Sequence, residues 1–148
     1  MNKEQWYEMS WREFEVFLEG CIEQALAGTN WRLSAQRARS YVDANGGRKN
    51  LRLDFHVAER RQGGRSVVID ARHYKTAYLR RHDADAVDEY RRKCRAAEAI
   101  IITSPITCFS ENLIDYCFEE LGIALLEVNR NIVSNLRRVF YAIEHNTY

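Results

Sequence analysis

The chain has 148 residues, 46% of them hydrophobic and 29% charged, the composition of an ordinary globular protein rather than a disordered one. That length suits one domain, residues 1–148, able to bury a core without disulfides or a structural metal. The longest uncharged stretch, Ala99 to Ser110, is too short for a membrane span of about 20 residues. The start also lacks a signal peptide's basic region, so a cytoplasmic location with no membrane partner is expected. Four cysteines, Cys21, Cys94, Cys108 and Cys117, form no C-x-x-C pair. Three fall on or beside apolar stripes, which fits small buried hydrophobes better than zinc ligands.

The net charge of +1 hides an asymmetry: −4 over residues 1–30, +9 over 31–95 and −4 over 96–148. Such a cationic middle attracts polyanions, nucleic acid first among them. It is equally compatible with arginines paired to nearby acids.

In chain order, Ser10-Trp-Arg-Glu13 is a capping box that opens a helix to about Ala27, with Phe14, Phe17, Leu18, Cys21, Ile22, Ala25 and Leu26 on its core face and Gly28 as its stop. Trp31 to Tyr41 alternates and predicts a strand, and Asn45-Gly46-Gly47 a turn. Leu51 to Ala58 alternates more clearly, holding Asp54 on a strand opposite its apolar side. Gly63-Gly64 then returns the chain into Ser66–Tyr74, where Val68, Asp70 and Arg72 share a face and the two strands form a hairpin. A helix capped by Asp83 and running to Glu98 is predicted next, with Arg91, Arg92, Lys93 and Arg95 on its outer face. Ala99–Thr103 reads as a central strand covered on both sides. Ser110–Leu121 reads as a helix closed by Gly122, Ile123–Val128 as a buried strand, and Asn131 to about Glu144 as a last helix. The order αβββαβαβα implies an α/β domain with a mixed sheet, an antiparallel meander followed by parallel crossovers.

Asp54 and Asp70 lie on paired strands, where two carboxylates held together favour a divalent cation. Arg72, on the face of Asp70, suits a phosphate or a negatively charged transition state. The plainer account is a cross-strand ion pair between Asp54 and Arg72 or Arg52. Glu15 reads equally as a solvated helix residue, and His56 and His73 as incidental strand histidines.

Asp54 followed by Asp70-x-Arg72 on a hairpin, after a helix carrying Arg12-Glu13-Phe14-Glu15, resembles the PD-(D/E)xK nuclease superfamily, most closely Mrr-like restriction endonuclease domains. Leu53-Asp54-Phe55, Val67–Lys75, and Ala99–Ser104 with Ile123–Val128 carry the likeness, which spans about Ser10 to Val128. The resemblance implies a restriction-endonuclease-like αβββαβ core, extended here by a further αβα-type C-terminal part. It implies a divalent-metal-dependent endonuclease for DNA, with Asp54 and Asp70 binding Mg²⁺ or Mn²⁺ and Glu15 assisting. The family has lysine where Arg72 stands, and arginine cannot serve as a base. Three arrangements stay open. Metal-activated water can work with Arg72 stabilising charge, Lys75 can reach in past the strand end, or the chain can be a catalytically impaired module that binds nucleic acid or a protein partner. Arg60, Arg61, Arg65, Arg80, Arg81, Arg91, Arg92, Lys93 and Arg95 are the expected DNA-backbone contacts, with Tyr74, Tyr78 and Tyr90 interleaved. One domain carries one site, so cutting both strands calls for a homodimer. No reading domain is evident, which leaves target choice to a protein partner.

Overall fold

The computed structural model describes residues 1–34, 38–42, 48–52 and 54–145. Helix α1 (Lys3–Glu8) and helix α2 (Trp11–Leu26) are each opened by a capping box, Asn2 with Gln5 and Ser10 with Glu13. Gly28, at φ +76°, ends the second helix in a conformation that costs glycine little. Strands β1 (Trp31–Ser34), β4 (Phe55–Glu59), β5 (Ser66–Arg72), β6 (Glu98–Thr103) and β7 (Ala124–Glu127) form a mixed sheet in the order β1-β4-β5-β6-β7. The first three pair antiparallel and the last two join in parallel. Strands β2 (Ala38–Val42) and β3 (Arg48–Arg52) make a separate two-stranded ribbon between β1 and β4.

Alternation divides the core into two layers. Phe55, Val57, Val67, Ile69, Ile100 and Ile102 face one side, packed by Phe14, Leu18 and Ile22 of α2 and by Leu136 and Phe140 of helix α5 (Ile132–Glu144). Val68, Ala99 and Ile101 face the other, against Ala84 and Val87 of helix α3 (Arg81–Lys93) and Leu113 of helix α4 (Glu111–Asp115). Strand β6 is buried from Ala99 to Thr103, as a strand covered by helices on both faces must be. Helix α4 continues into a π-helical turn, Tyr116–Leu121, closed by Gly122 at φ +65°. No described helix is long and apolar enough to cross a membrane.

Several boundaries differ from the periodicity. The segment read as one strand from Trp31 to Tyr41 divides between β1 and β2, which belong to different sheets. The segment Leu51–Ala58 is two strands, and Asp54 sits in the bend before β4 rather than on a strand. Strand β5 ends at Arg72. Helix α3 begins at Arg81, so Asp83 lies within its first turn, where its carboxylate accepts the Arg80 N–H at 2.9 Å. The same helix stops at Lys93 because Arg95 adopts a left-handed φ of 54° and Ala96 N–H closes back onto the Arg91 carbonyl at 2.9 Å. The short α1 was not signalled by an extended apolar period. Its Trp6 is buried edge-on against Phe14 and Phe17, at 6.1 and 5.4 Å between ring centroids. The Asn45-Gly46-Gly47 turn and Leu53 lie outside the described residues. Among the described residues Cys117 is buried, with its thiol pushed up to about 11 by burial, Cys21 and Cys94 are half-buried and Cys108 is exposed, all of them free thiols.

Candidate active site

Strands β4 and β5 pair Phe55 with Ile69, and the next position in that register sets Asp54 against Asp70. Beyond the last paired position, the Ala71 amide points at Asp54, whose Oδ2 accepts it at 2.8 Å. This bond explains why the chain leaves the strand at Asp54: the turned-in carboxylate replaces a ladder partner for a buried N–H. Asp54 is 6% exposed. Burial first, then the charge of Asp70, push its carboxyl up to about 7, against the pull of the Ala71 amide.

Glu15 completes the cluster from helix α2. It is 1% exposed and hydrogen-bonds to Asp54, which overturns the solvated reading of that residue. Next to Phe14 in the helix, it meets the end of β4 at Asp54 rather than facing water. Burial also raises the Asp70 carboxyl, with Arg72 pulling the other way.

Arg72 is engaged on every side. Its Nε donates to Asp70 Oδ2, and Nη2 reaches Oδ1 of the same carboxylate at 3.4 Å. Nη1 donates to the Tyr74 hydroxyl at 2.6 Å and lies 3.7 Å from Asp83 Oδ1. Burial works against the cation, but Asp70 outweighs it and raises the guanidinium above its ordinary range. The cross-strand pair of Asp54 with Arg72 foreseen as the plain account is replaced by a same-strand pair of Asp70 with Arg72. Tyr74 and Asp83 are the partners that no local pattern announces.

His73 is buried behind this cluster and stacks on Phe14 at 5.2 Å. Its Nε2 lies 2.8 Å from the Met9 carbonyl, which can only accept, so Nε2 carries the hydrogen; Nδ1 lies 2.8 Å from Ser104 Oγ. His73 therefore ties the start of α2 to the end of β6. Lys75 is exposed beyond the end of β5 and interacts with Glu13.

The expected DNA contacts fall into two groups. Arg60, Arg61 and Arg65 occupy the turn joining the end of β4 to the start of β5, whereas Asp54 and Asp70 sit at the other end of those strands. Along β5, Arg65 and Asp70 are five residues apart, about 16 Å. Arg91, Arg92, Lys93 and Arg95 end α3 at that same far end, where Ala97 N–H bonds the Ser66 carbonyl at 2.8 Å. Most of these cations have structural partners. Arg65 binds Glu59 at 2.8 Å and the Ile143 carbonyl at 2.7 Å, capping α5. Arg61 lies 3.4 Å from Glu59, and Arg91 and Arg92 both pair with Asp88. The nine cations are thus divided between the two ends of the strands, and seven of them stand away from the acids. Arg80 and Arg81 alone of the nine stand at the acid end, at the start of α3.

Among the described residues, no three His, Cys, Asp or Glu side chains form a ready-made metal cage. The donors that converge are hard carboxylate oxygens, suited to Mg²⁺ or Mn²⁺. With Asp54 held near 7, a cation has a proton to displace there. Neither a family model nor a curated protein matches this sequence.

Proposed function

We propose that the chain is a divalent-metal-dependent endonuclease of PD-(D/E)xK type, acting on DNA. The observation that carries this reading is the convergence of Glu15, Asp54 and Asp70 at the carboxyl end of β5, with Arg72 on the Asp70 face. The setting supports it: a helix, an antiparallel trio β1-β4-β5, a helix, then parallel β6.

Asp54 and Asp70 would hold Mg²⁺ or Mn²⁺, which supplies positive charge against the scissile phosphate. Glu15, hydrogen-bonded to Asp54, orients that carboxylate. Arg72 stays protonated and is fixed by Asp70, Tyr74 and Asp83, so its charge is preorganised beside the place where phosphate charge develops. The same pairing favours a second reading, a module that binds nucleic acid or a protein without cutting, because Arg72 neutralises a carboxylate that a cation needs.

The test is cleavage of supercoiled plasmid and single-stranded oligonucleotides with Mg²⁺ or Mn²⁺, comparing wild type, Asp70→Asn and Arg72→Lys. Cleavage lost in Asp70→Asn supports the nuclease. Cleavage absent in wild type and gained in Arg72→Lys supports the binding module.

A further inference from the structure

We infer that Tyr78, with Arg80 and Arg81, forms a subsite for one unpaired nucleotide of a single-stranded polynucleotide. The inference rests on the nucleic-acid reading above and names where the strand lies. Tyr78 is 58% exposed, yet it is not loose. Its backbone bridges to Cys108, and the next residue, Leu79, is buried with its N–H on the Cys108 carbonyl at 2.9 Å. An aromatic ring presented to solvent from an anchored backbone loses little freedom when a base stacks on it.

Beside the ring is a hollow of about 280 Å³ lined by Tyr78, Leu79, Arg80, Arg81, Ser110 and Leu113. It combines an aromatic face, an apolar floor, two cations and a hydroxyl, the set that accommodates a base and its phosphate together. Arg81 is itself oriented, its guanidinium 4.6 Å from the centre of the Tyr116 ring. The hollow on the far side of Arg81 is lined by Asp115, Glu119 and Glu120, which repel a polyanion and turn it toward Tyr78.

The subsite is linked to the acid cluster through one carboxylate. Asp83 accepts the Arg80 N–H with Oδ2 at 2.9 Å, while its Oδ1 lies 3.7 Å from Arg72 and 3.5 Å from the Tyr74 hydroxyl. The subsite and Arg72 are therefore fixed to one another at the same end of the sheet, opposite the arginines of the β4–β5 turn.

The experiment is fluorescence anisotropy of a labelled short oligothymidylate in EDTA, with an abasic oligomer of equal charge as comparison, run on the full chain. Tyr78→Ala is expected to weaken oligothymidylate binding roughly tenfold and leave abasic binding unchanged, while Tyr78→Phe retains wild-type affinity. Arg80→Gln with Arg81→Gln is expected to weaken both oligomers and flatten the slope of log affinity against log salt by about 1.4. If Tyr78→Ala binds oligothymidylate as the wild type does, while the wild type binds or cuts nucleic acid, the subsite is overturned and the nucleic-acid reading stands. If the wild type neither binds nor cuts any strand, both fall together.

Discussion

The two ends of the central sheet carry opposite kinds of surface. At the carboxyl end of β5, acids converge with Arg72, Arg80 and Arg81; at its amino end, seven cations gather in the β4–β5 turn and at the close of α3. Charge density along the sequence marks the second end as the one that attracts nucleic acid, but geometry gives those side chains other work. Arg65 caps α5, and Arg91 and Arg92 neutralise Asp88 in the last turns of α3, where cations also complement the helix dipole. The acid end receives the amino termini of α2, α3, α4 and α5, the positive ends of their dipoles, which make it less negative than its carboxylates suggest. A run of arginines is therefore weak evidence for a binding surface until strand direction shows what it stands beside.

The comparison breaks most sharply at Asp54. Asp54→Asn is expected to lower plasmid cleavage by about 10²–10⁴-fold, measured as a single-turnover rate. The same substitution tests the electrostatics. With its carboxyl raised from 3.8 to about 7, native Asp54 keeps a proton that the unfolded chain has shed between those values. This contribution to stability is present at low pH and lost as pH rises through about 7, up to about 4 kcal/mol. The wild-type Tm should thus fall across that window, while Asp54→Asn, which keeps an oxygen for the Ala71 amide, should fall less and overtake the wild type on the alkaline side. Equal slopes for the two proteins would remove the raised carboxyl from the account.

At the arginine end the effects are structural. Arg65→Ala should destabilise by about 1–3 kcal/mol in urea unfolding, having removed charged donors from the carbonyls of α5 and from Glu59. Arg95→Gly should instead stabilise by about 1 kcal/mol, since a left-handed residue at the close of a helix favours glycine. The smallest effect belongs to Arg91→Gln with Arg92→Gln, which should leave oligonucleotide affinity within about twofold, by anisotropy. A large loss there would reverse the assignment of the two ends.

Periodicity and caps made much of this fold readable: α2 from Ser10, the β4–β5 hairpin, β6 from its unbroken apolar run, and α5 from its stripe. The facing of Asp54 and Asp70 follows from the hairpin register and was legible too. The break at Asp54 was not, because Leu51, Leu53, Phe55 and Val57 alternate straight through it and only the tertiary bond to Ala71 interrupts the strand. Glu15 was ambiguous for a related reason. A carboxylate one place from a core phenylalanine is solvated or buried according to what the sheet presents to it, here Asp54. The hold of Tyr74 and Asp83 on Arg72 depends on where α3 begins, a boundary set by the long connection after β5.

His73 has a consequence for the order of assembly. Its ring bonds to Met9, 64 positions earlier in the chain, and to Ser104, 31 positions later. Closing contacts so distant costs loop entropy before any of them is rewarded, which places them late in folding. Helix α2 can form on its own capping box, but Glu15 is brought up to Asp54 only when this clasp shuts. The hairpin alone sets Asp54 against Asp70, so a partly opened chain keeps those two acids together, and it is the third, Glu15, whose arrival waits on the long-range packing of α2.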